Sequence, residues 1–257
     1  ISYLKKFKNT LELTIYADLD SIPDLIFELP NLKKLRIVGN KNWDWNRLFI
    51  KLSKLTKLRS LVIVDCSSLG YKIPSSICLL KQLERLEIDN SFITQFPDSF
   101  NLTNLKYLSI CNSQIHKIPK NFISDSLVCL DLSNNRFNGI PKEINNFSNL
   151  SFLNFEGNKY FSSDAVILCK NSKIHDLGLV HCGIERFPIE LCCLEDLNVL
   201  ELYGNRISNI PEEMVCFKRL KCLFIIIYPS NDIEQLKYFK SKMPYCQFVN
   251  GPTDFNE

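Results

Sequence analysis

The sequence of 257 residues predicts an α/β solenoid in which one short parallel strand and one irregular return segment alternate along the chain. Three observations carry this prediction. A leucine phrase recurs about every 23 residues, a proline phrase follows it at a constant distance, and 46% of the residues are hydrophobic. A single repeat of this length cannot bury its apolar side chains alone, so stacked repeats must share one core.

The leucine phrase is L-x-x-L-x-L-x-x-N, seen in full at Leu127, Leu130, Leu132 and Asn135. Its last two leucines are two residues apart, so they point into the core from a strand while their neighbours point outward. We take the second leucine of each copy as the anchor of a repeat, and successive anchors are 22 to 26 residues apart. The anchors are Leu11, Leu35, Leu61, Leu86, Leu108, Leu130, Leu153, Leu177, Leu200 and Leu223.

The proline phrase follows five of these anchors by 11 residues, and an isoleucine or phenylalanine precedes each proline. Proline fixes φ and removes a backbone donor. The return segments are therefore expected to be extended, 3₁₀ or at most short helices. The five prolines are Pro97, Pro119, Pro141, Pro188 and Pro211.

These two phrases resemble the leucine-rich-repeat superfamily, in its class of about 23 residues with I-P or L-P in the return segment. The resemblance implies a right-handed horseshoe, a single domain over residues 1–257, and ligand binding on a concave parallel sheet. Residues 230–250 resemble the closing segment of bacterial members, with an Asp232 helix cap, a stop at Met243-Pro244 and a final strand at Cys246 and Phe248. A second capping helix is expected around Tyr3, Leu4 and Phe7.

The position five residues after each anchor should satisfy backbone groups in the turn that follows the strand. Asparagine, serine or cysteine fills most of these positions, and tyrosine fills the first and the last, Tyr16 and Tyr228, which we interpret as the two ends of the repeat array. Cys66 and Cys182 therefore read as structural side chains. We expect the eleven cysteines to be mostly reduced, which favours the cytoplasm.

The outward positions beside the anchors define the candidate binding surface. It is basic early in the chain and acidic later, with aromatic side chains near these charges. We expect a protein ligand here; the alternative is a solvated face with incidental aromatics. A side contact through Trp43 and Trp45 is a further possibility, against simple packing on the neighbouring loop. The candidate contact residues are Lys34, Arg36, Arg85, Glu87, Tyr107, Asp131, Phe152, Glu156, Asp176, Glu201 and Tyr203.

The sequence offers few residues or motifs that would indicate another function. A net charge of +3 argues against a nucleic-acid partner, and we find no apolar run long enough to span a membrane. The three histidines are too far apart to share a metal, and the periodic positions assemble no catalytic constellation and no phosphate loop. We therefore expect a monomeric, non-catalytic protein-interaction module without cofactor or metal. The alternatives are a targeting domain of a larger enzyme or effector, and a bacterial surface or adhesion protein.

Overall fold

The computed structural model describes residues 9–16, 22–39, 43–171, 173–227 and 233–249. The chain divides into two compact units, Ile1–Cys129 and Leu130–Glu257. Both units repeat a short strand and a return segment, so the predicted α/β solenoid is confirmed. The expected N-terminal capping helix, Asn40, Tyr228 and the Asp232 cap lie outside the described residues.

The first unit contains a parallel sheet whose strands follow one another in chain order, each paired with the next. The anchors Leu35, Leu61, Leu86 and Leu108 face each other across this sheet and are almost completely buried. The leucine phrase thus places equivalent side chains at equivalent interior sites. The strands are β1 Glu12–Tyr16, β2 Lys34–Val38, β3 Ser60–Val64, β4 Arg85–Asp89 and β5 Tyr107–Cys111.

The first repeat departs from the expected register. Leu13, not Leu11, pairs with Leu35, and Leu11 is 48% exposed. Leu11, Leu13 and Ile15 alternate with polar residues, so the pattern alone fits two registers that differ by two residues. Tyr16 consequently lies on β1, exposed on the outward side, and does not occupy the turn position that we assigned to it.

The return segments of the first unit are the 3₁₀ turns Asp24–Glu28, Ser67–Leu69 and Ser75–Leu79 and one α-helix, α1 (Trp45–Leu52). The helix begins where the Asp44 carboxylate accepts the amide of Arg47 at 2.9 Å. It buries Trp45, whose indole donates to Ser68 Oγ at 3.1 Å. Trp45 therefore packs on the neighbouring loop, as the alternative interpretation predicted.

The second unit continues the pattern to the C-terminal strand. From β7 onward each described strand pairs in parallel with the next, and Leu223 lies opposite Phe248. The strands are β6 Cys129–Asp131, which starts one residue before the unit, β7 Phe152–Asn154, β8 Asp176–Gly178, β9 Val199–Glu201, β10 Cys222–Phe224 and β11 Gln247–Val249. Its return segments are the 3₁₀ turns Lys142–Asn146, Ser162–Asp164, Ile189–Cys193 and Glu212–Cys216 and the helices α2 Ala165–Leu168 and α3 Ile233–Lys242.

The turn position behaves as the sequence predicted. The Asn205 side chain accepts the amides of Cys182 and Ile184 at 3.0 Å each and donates to the carbonyls of Leu179 and Leu202 at 2.7 and 2.9 Å. Asn205 thereby joins two successive repeats from inside the core, where a buried backbone group without a partner is costly.

Cysteine fills the same position less completely. The Cys182 thiol lies 3.4 Å from the carbonyl oxygens of Phe155 and Val180, and Cys66 contacts two carbonyls in the same way. Burial raises the pKa of both thiols to about 12. Each therefore stays protonated and donates, which confirms the structural interpretation.

Four other cysteines contradict the expectation of unpaired thiols. Cys169 pairs with Cys193 and Cys192 with Cys216, with Cα–Cα distances of 5.4 and 5.9 Å. Each disulfide joins return segments 24 residues apart, so three successive segments of the second unit are cross-linked. The argument for a reduced compartment therefore loses its basis.

The turns of the second unit show a two-repeat alternation. Asn134, Gly157, His181 and Gly204 all occupy the position four residues after an anchor and all have positive φ. The Asn134 side chain fills the space where Gly157 lacks a Cβ, and the His181 ring does the same at Gly204. Glycine is required at both receiving positions, since any Cβ there would overlap the neighbouring side chain.

Candidate ligand-binding face

The outward face of the second unit's sheet, formed by the side chains that point away from the core on β7 to β10, brings several predicted residues together. Phe152 lies opposite Asp176, and Glu201 lies opposite Gly178. Neighbouring strands are about 4.8 Å apart, so these side chains form one continuous surface. We call this surface the β7–β10 face.

Three carboxylates dominate the β7–β10 face: Glu156, Asp176 and Glu201. Partial burial raises the pKa of Glu201, and the negative charges of Glu156 and Asp176 raise it further. The three groups are therefore close enough to repel one another. None of them forms an ion pair with a cation in the described part of the chain.

Gly178 has no side chain at the middle of the face, and it is buried. The Asn154 amide partly covers Gly178: its Oδ1 would lie 2.7 Å from a Cβ at that position. The same Oδ1 accepts the amide of Glu156 at 3.1 Å and so holds the Asn154 side chain in place. Glu201 stands directly beside Gly178 on the next strand, since the two are register partners.

Aromatic side chains border this acidic area. Phe152 is 36% exposed on β7, although it is a large apolar residue. Tyr203 and Phe224 contact each other with their ring centroids 6.0 Å apart. Phe224 was not among the predicted contact residues, although it occupies the same outward column as Glu201. Its place in that outward column was enough to predict that Phe224 lies on this face.

The predicted basic residues belong to the first unit, where most of their charge is compensated. Lys34 pairs with Glu12 at 2.6 Å, and Arg85 pairs with Glu87 on its own strand. The Arg85 guanidinium also lies 3.6 Å from the Tyr107 ring centroid. Tyr107 thus packs against a charged side chain of the neighbouring strand.

Two further predicted residues stand apart from these groups. Arg36 is exposed and forms no ion pair in the part of the chain that the structure describes. Asp131 accepts the amide of Ser133 at 3.0 Å, so part of its hydrogen-bonding capacity serves its own turn. Apart from Arg36, the predicted basic residues therefore have ion-pair partners in the first unit, whereas the predicted acidic residues of the second unit form no ion pair among the described residues.

Fold and repeat sequence together are those of leucine-rich-repeat proteins. The family model described as Leucine Rich Repeat matches residues 126–147, which contain a complete copy of the leucine phrase. The similarity of residues 230–250 to bacterial closing segments stays a prediction.

Among named proteins, the chain is similar to the volume-regulated anion channel subunit LRRC8D of Rattus norvegicus, with 29% identity over 242 residues. This match covers 89% of the chain and 20% of the relative, so the chain spans about a fifth of that protein's length. No described helix has the length and apolar character needed to cross a membrane.

Two solved structures share the fold. The plant peptide hormone receptor RGFR1, in complex with RGF2, matches with a TM-score of 0.55 and 25% identity, over 82% of this chain and 34% of the receptor. TLR13, in complex with ssRNA13, matches with a TM-score of 0.66 and 19% identity, over 96% of this chain and 44% of that chain. The expected exclusion of nucleic-acid partners is therefore not supported, since a chain of this fold is found in complex with an RNA.

Proposed function

We propose that the chain is a non-catalytic binding module whose β7–β10 face contacts a protein segment rich in lysine or arginine. The observation that carries this proposal is the set of three adjacent carboxylates, Glu156, Asp176 and Glu201, without a cation among the described residues. The similarly placed charges of the first unit, such as Lys34 and Arg85, have carboxylate partners within the chain.

Electrostatics explains why a cationic partner suits this face. Repulsion among the carboxylates and partial burial of Glu201 make the unliganded face unfavourable. A lysine or arginine side chain placed beside these carboxylates would relieve the repulsion and add charge-assisted hydrogen bonds. A negatively charged partner would increase the repulsion, so charge selects the partner's class.

The aromatic border supplies the apolar part of such a contact. Phe152 and the pair Tyr203–Phe224 are placed to pack on the methylene groups of a long cationic side chain. Aromatic residues bordered by charge are typical of the residues that dominate binding energy. The peptide hormone receptor that shares the fold supports a binding function.

The test is a selection of random displayed peptides on the purified chain, followed by dissociation constants from fluorescence polarisation. We expect the selected peptides to be enriched in lysine and arginine. The double variant Asp176→Asn/Glu201→Gln should raise Kd about tenfold, which corresponds to about 1.4 kcal/mol. Phe152→Ala should have an effect of about the same size. Higher salt should weaken binding, since the charges are partly exposed.

The matched control is Glu212→Gln/Glu213→Gln, which removes two exposed carboxylates from a return segment of the same unit. This variant should bind like the unmodified chain. Selected peptides without cationic residues, or an unchanged Kd for the Asp176→Asn/Glu201→Gln variant, would contradict the proposal. The targeting-domain and surface-protein alternatives stay predictions about the complete gene.

A further inference from the structure

A cavity of about 460 Å³ lies on the loops that follow strands β6, β7 and β8, within the second unit. It is distinct from the β7–β10 face, because its lining comes from the turn residues beyond the strand ends. Its volume lies within the range of small-molecule sites. The proposed function on the β7–β10 face does not involve this cavity.

The charge of the lining is positive. Arg136 and Lys159 line the cavity from adjacent repeats, each six residues after its anchor, and both are exposed. Among the described residues, the lining includes no aspartate or glutamate, and neither cation forms an ion pair. Two neighbouring cations without a counter-charge are unfavourable unless an anion binds between them.

The floor of the cavity is accessible backbone. Gly157 and Gly183 line it with φ values of 69° and 72°. A Cβ built on Gly183 would meet no atom within 4 Å, so a ligand can approach the main chain there. The exposed His181 ring also lines the cavity, and it packs on Gly204, which is outside the lining. Arg136 and Lys159 supply the permanent positive charge of the lining.

The asparagine side chains around the cavity differ in whether they are available to a ligand. The Asn158 amide is consumed inside the turn: it donates to the Leu132 carbonyl at 2.8 Å and accepts the amide of Phe137 at 3.0 Å. Asn138 is exposed at the rim. A ligand would therefore meet one guanidinium, one ammonium, the His181 imidazole and one exposed amide.

We propose that this cavity binds a phosphate or sulfate group carried by a small ligand. A guanidinium and an ammonium together match the charge and the oxygen geometry of a tetrahedral oxyanion. Gly183 leaves room for the group against the main chain, whereas the Asn134 side chain covers Gly157. Arg136 and Lys159 supply the charge, and Gly183 supplies the access.

The test is a titration of the full chain followed by ¹H–¹⁵N NMR, with sodium phosphate in one arm and sodium sulfate in the other, at constant ionic strength. We expect saturable shifts of the Gly157 and Gly183 amides. Saturation by both anions assigns a general oxyanion site, and saturation by phosphate alone assigns a phosphate site. The double variant Arg136→Ala/Lys159→Ala should raise Kd at least tenfold.

Arg206→Ala is the matched control. Arg206 is an exposed cation in the same column, six residues after anchor Leu200, but it does not line the cavity. This variant should keep the original Kd. Absence of saturable shifts, or equal Kd values for the double variant and the unmodified chain, would overturn the proposal. Unchanged thermal unfolding of the variants would show that they remain folded.

Discussion

Replacement of Asn205 by alanine tests how the turn positions hold the repeats together. The side chain is 2% exposed and forms four strong hydrogen bonds to backbone groups of two successive repeats. Alanine removes all four partners at once, and water has little access to replace them. The amides of Cys182 and Ile184 are the most affected, because each backbone N–H donates a single hydrogen bond and its acceptor is the Asn205 side chain.

The expected loss follows from these two amides. A buried polar group without a partner costs about 1–3 kcal/mol, so the two amides together predict a loss of about 4 kcal/mol. Such a loss is a large part of the 5–15 kcal/mol that is typical of folded domains. Because neighbouring repeats depend on one another, the loss should spread from the Asn205 turn into adjacent repeats of the second unit.

The measurement is urea unfolding at 25 °C by circular dichroism, together with amide hydrogen exchange to locate the change. Asn145→Ala is the control, since Asn145 is exposed on a return segment of the same unit. It should shift the free energy of unfolding by less than about 0.5 kcal/mol. Equal unfolding midpoints for the two variants would refute our explanation of the turn position.

Three further predictions concern the second unit. Cys182→Asn should raise the urea midpoint, because asparagine adds an acceptor to the donor contacts that the thiol makes with Phe155 and Val180; a lower midpoint would count against the equivalence of the two residues at this position. Glu201→Gln should stabilise the chain at pH 7, because the raised pKa of Glu201 means that its ionised form opposes folding; the gain should fade as pH falls through the raised pKa of the folded state and be absent below about 4.5, where both states are protonated, and a gain independent of pH would contradict this cause. Ellman's reagent in urea should detect seven of the eleven cysteines, and reduction of the two disulfides, each closing a loop of about 25 residues, should cost about 3 kcal/mol apiece; eleven reactive thiols would show that the pairs do not form.

Periodicity was enough to predict most of the fold. The anchors from Leu35 to Leu223 could be located because each copy of the phrase limits the register of its neighbours. The register of the first repeat was predicted wrongly, since alternating Leu11, Leu13 and Ile15 admit a shift of two residues. Helix α1 carried a signal that we did not use: Asp44 as its cap, followed by apolar residues at helical spacing.

The disulfides were harder to foresee. Cys169 is 23 residues before Cys192 and 24 before Cys193, so spacing alone does not choose between the partners. The choice depends on where two return segments approach each other, which a repeat length does not specify.

The candidate face was predictable by position but not by energetics. Outward columns follow directly from a period of two, which located Asp176, Glu201 and Phe152. Whether a charged side chain forms an ion pair depends on the side-chain conformations on neighbouring strands. The repeat period carries no information about these conformations. The pairing of Lys34 with Glu12 therefore came only from the structure.

The alternation of Asn134, Gly157, His181 and Gly204 limits how this array can grow or shrink. Deleting the repeat that contains Gly157 would place the bulky Asn134 amide against the main chain at His181, where a Cβ already stands. Removing or inserting two adjacent repeats would keep each bulky side chain facing a glycine. A designer who lengthens these turns of the second unit should therefore proceed in steps of two repeats. The first unit sets no such step, since Asp65, Asn90 and Asn112 follow one another at the same position there.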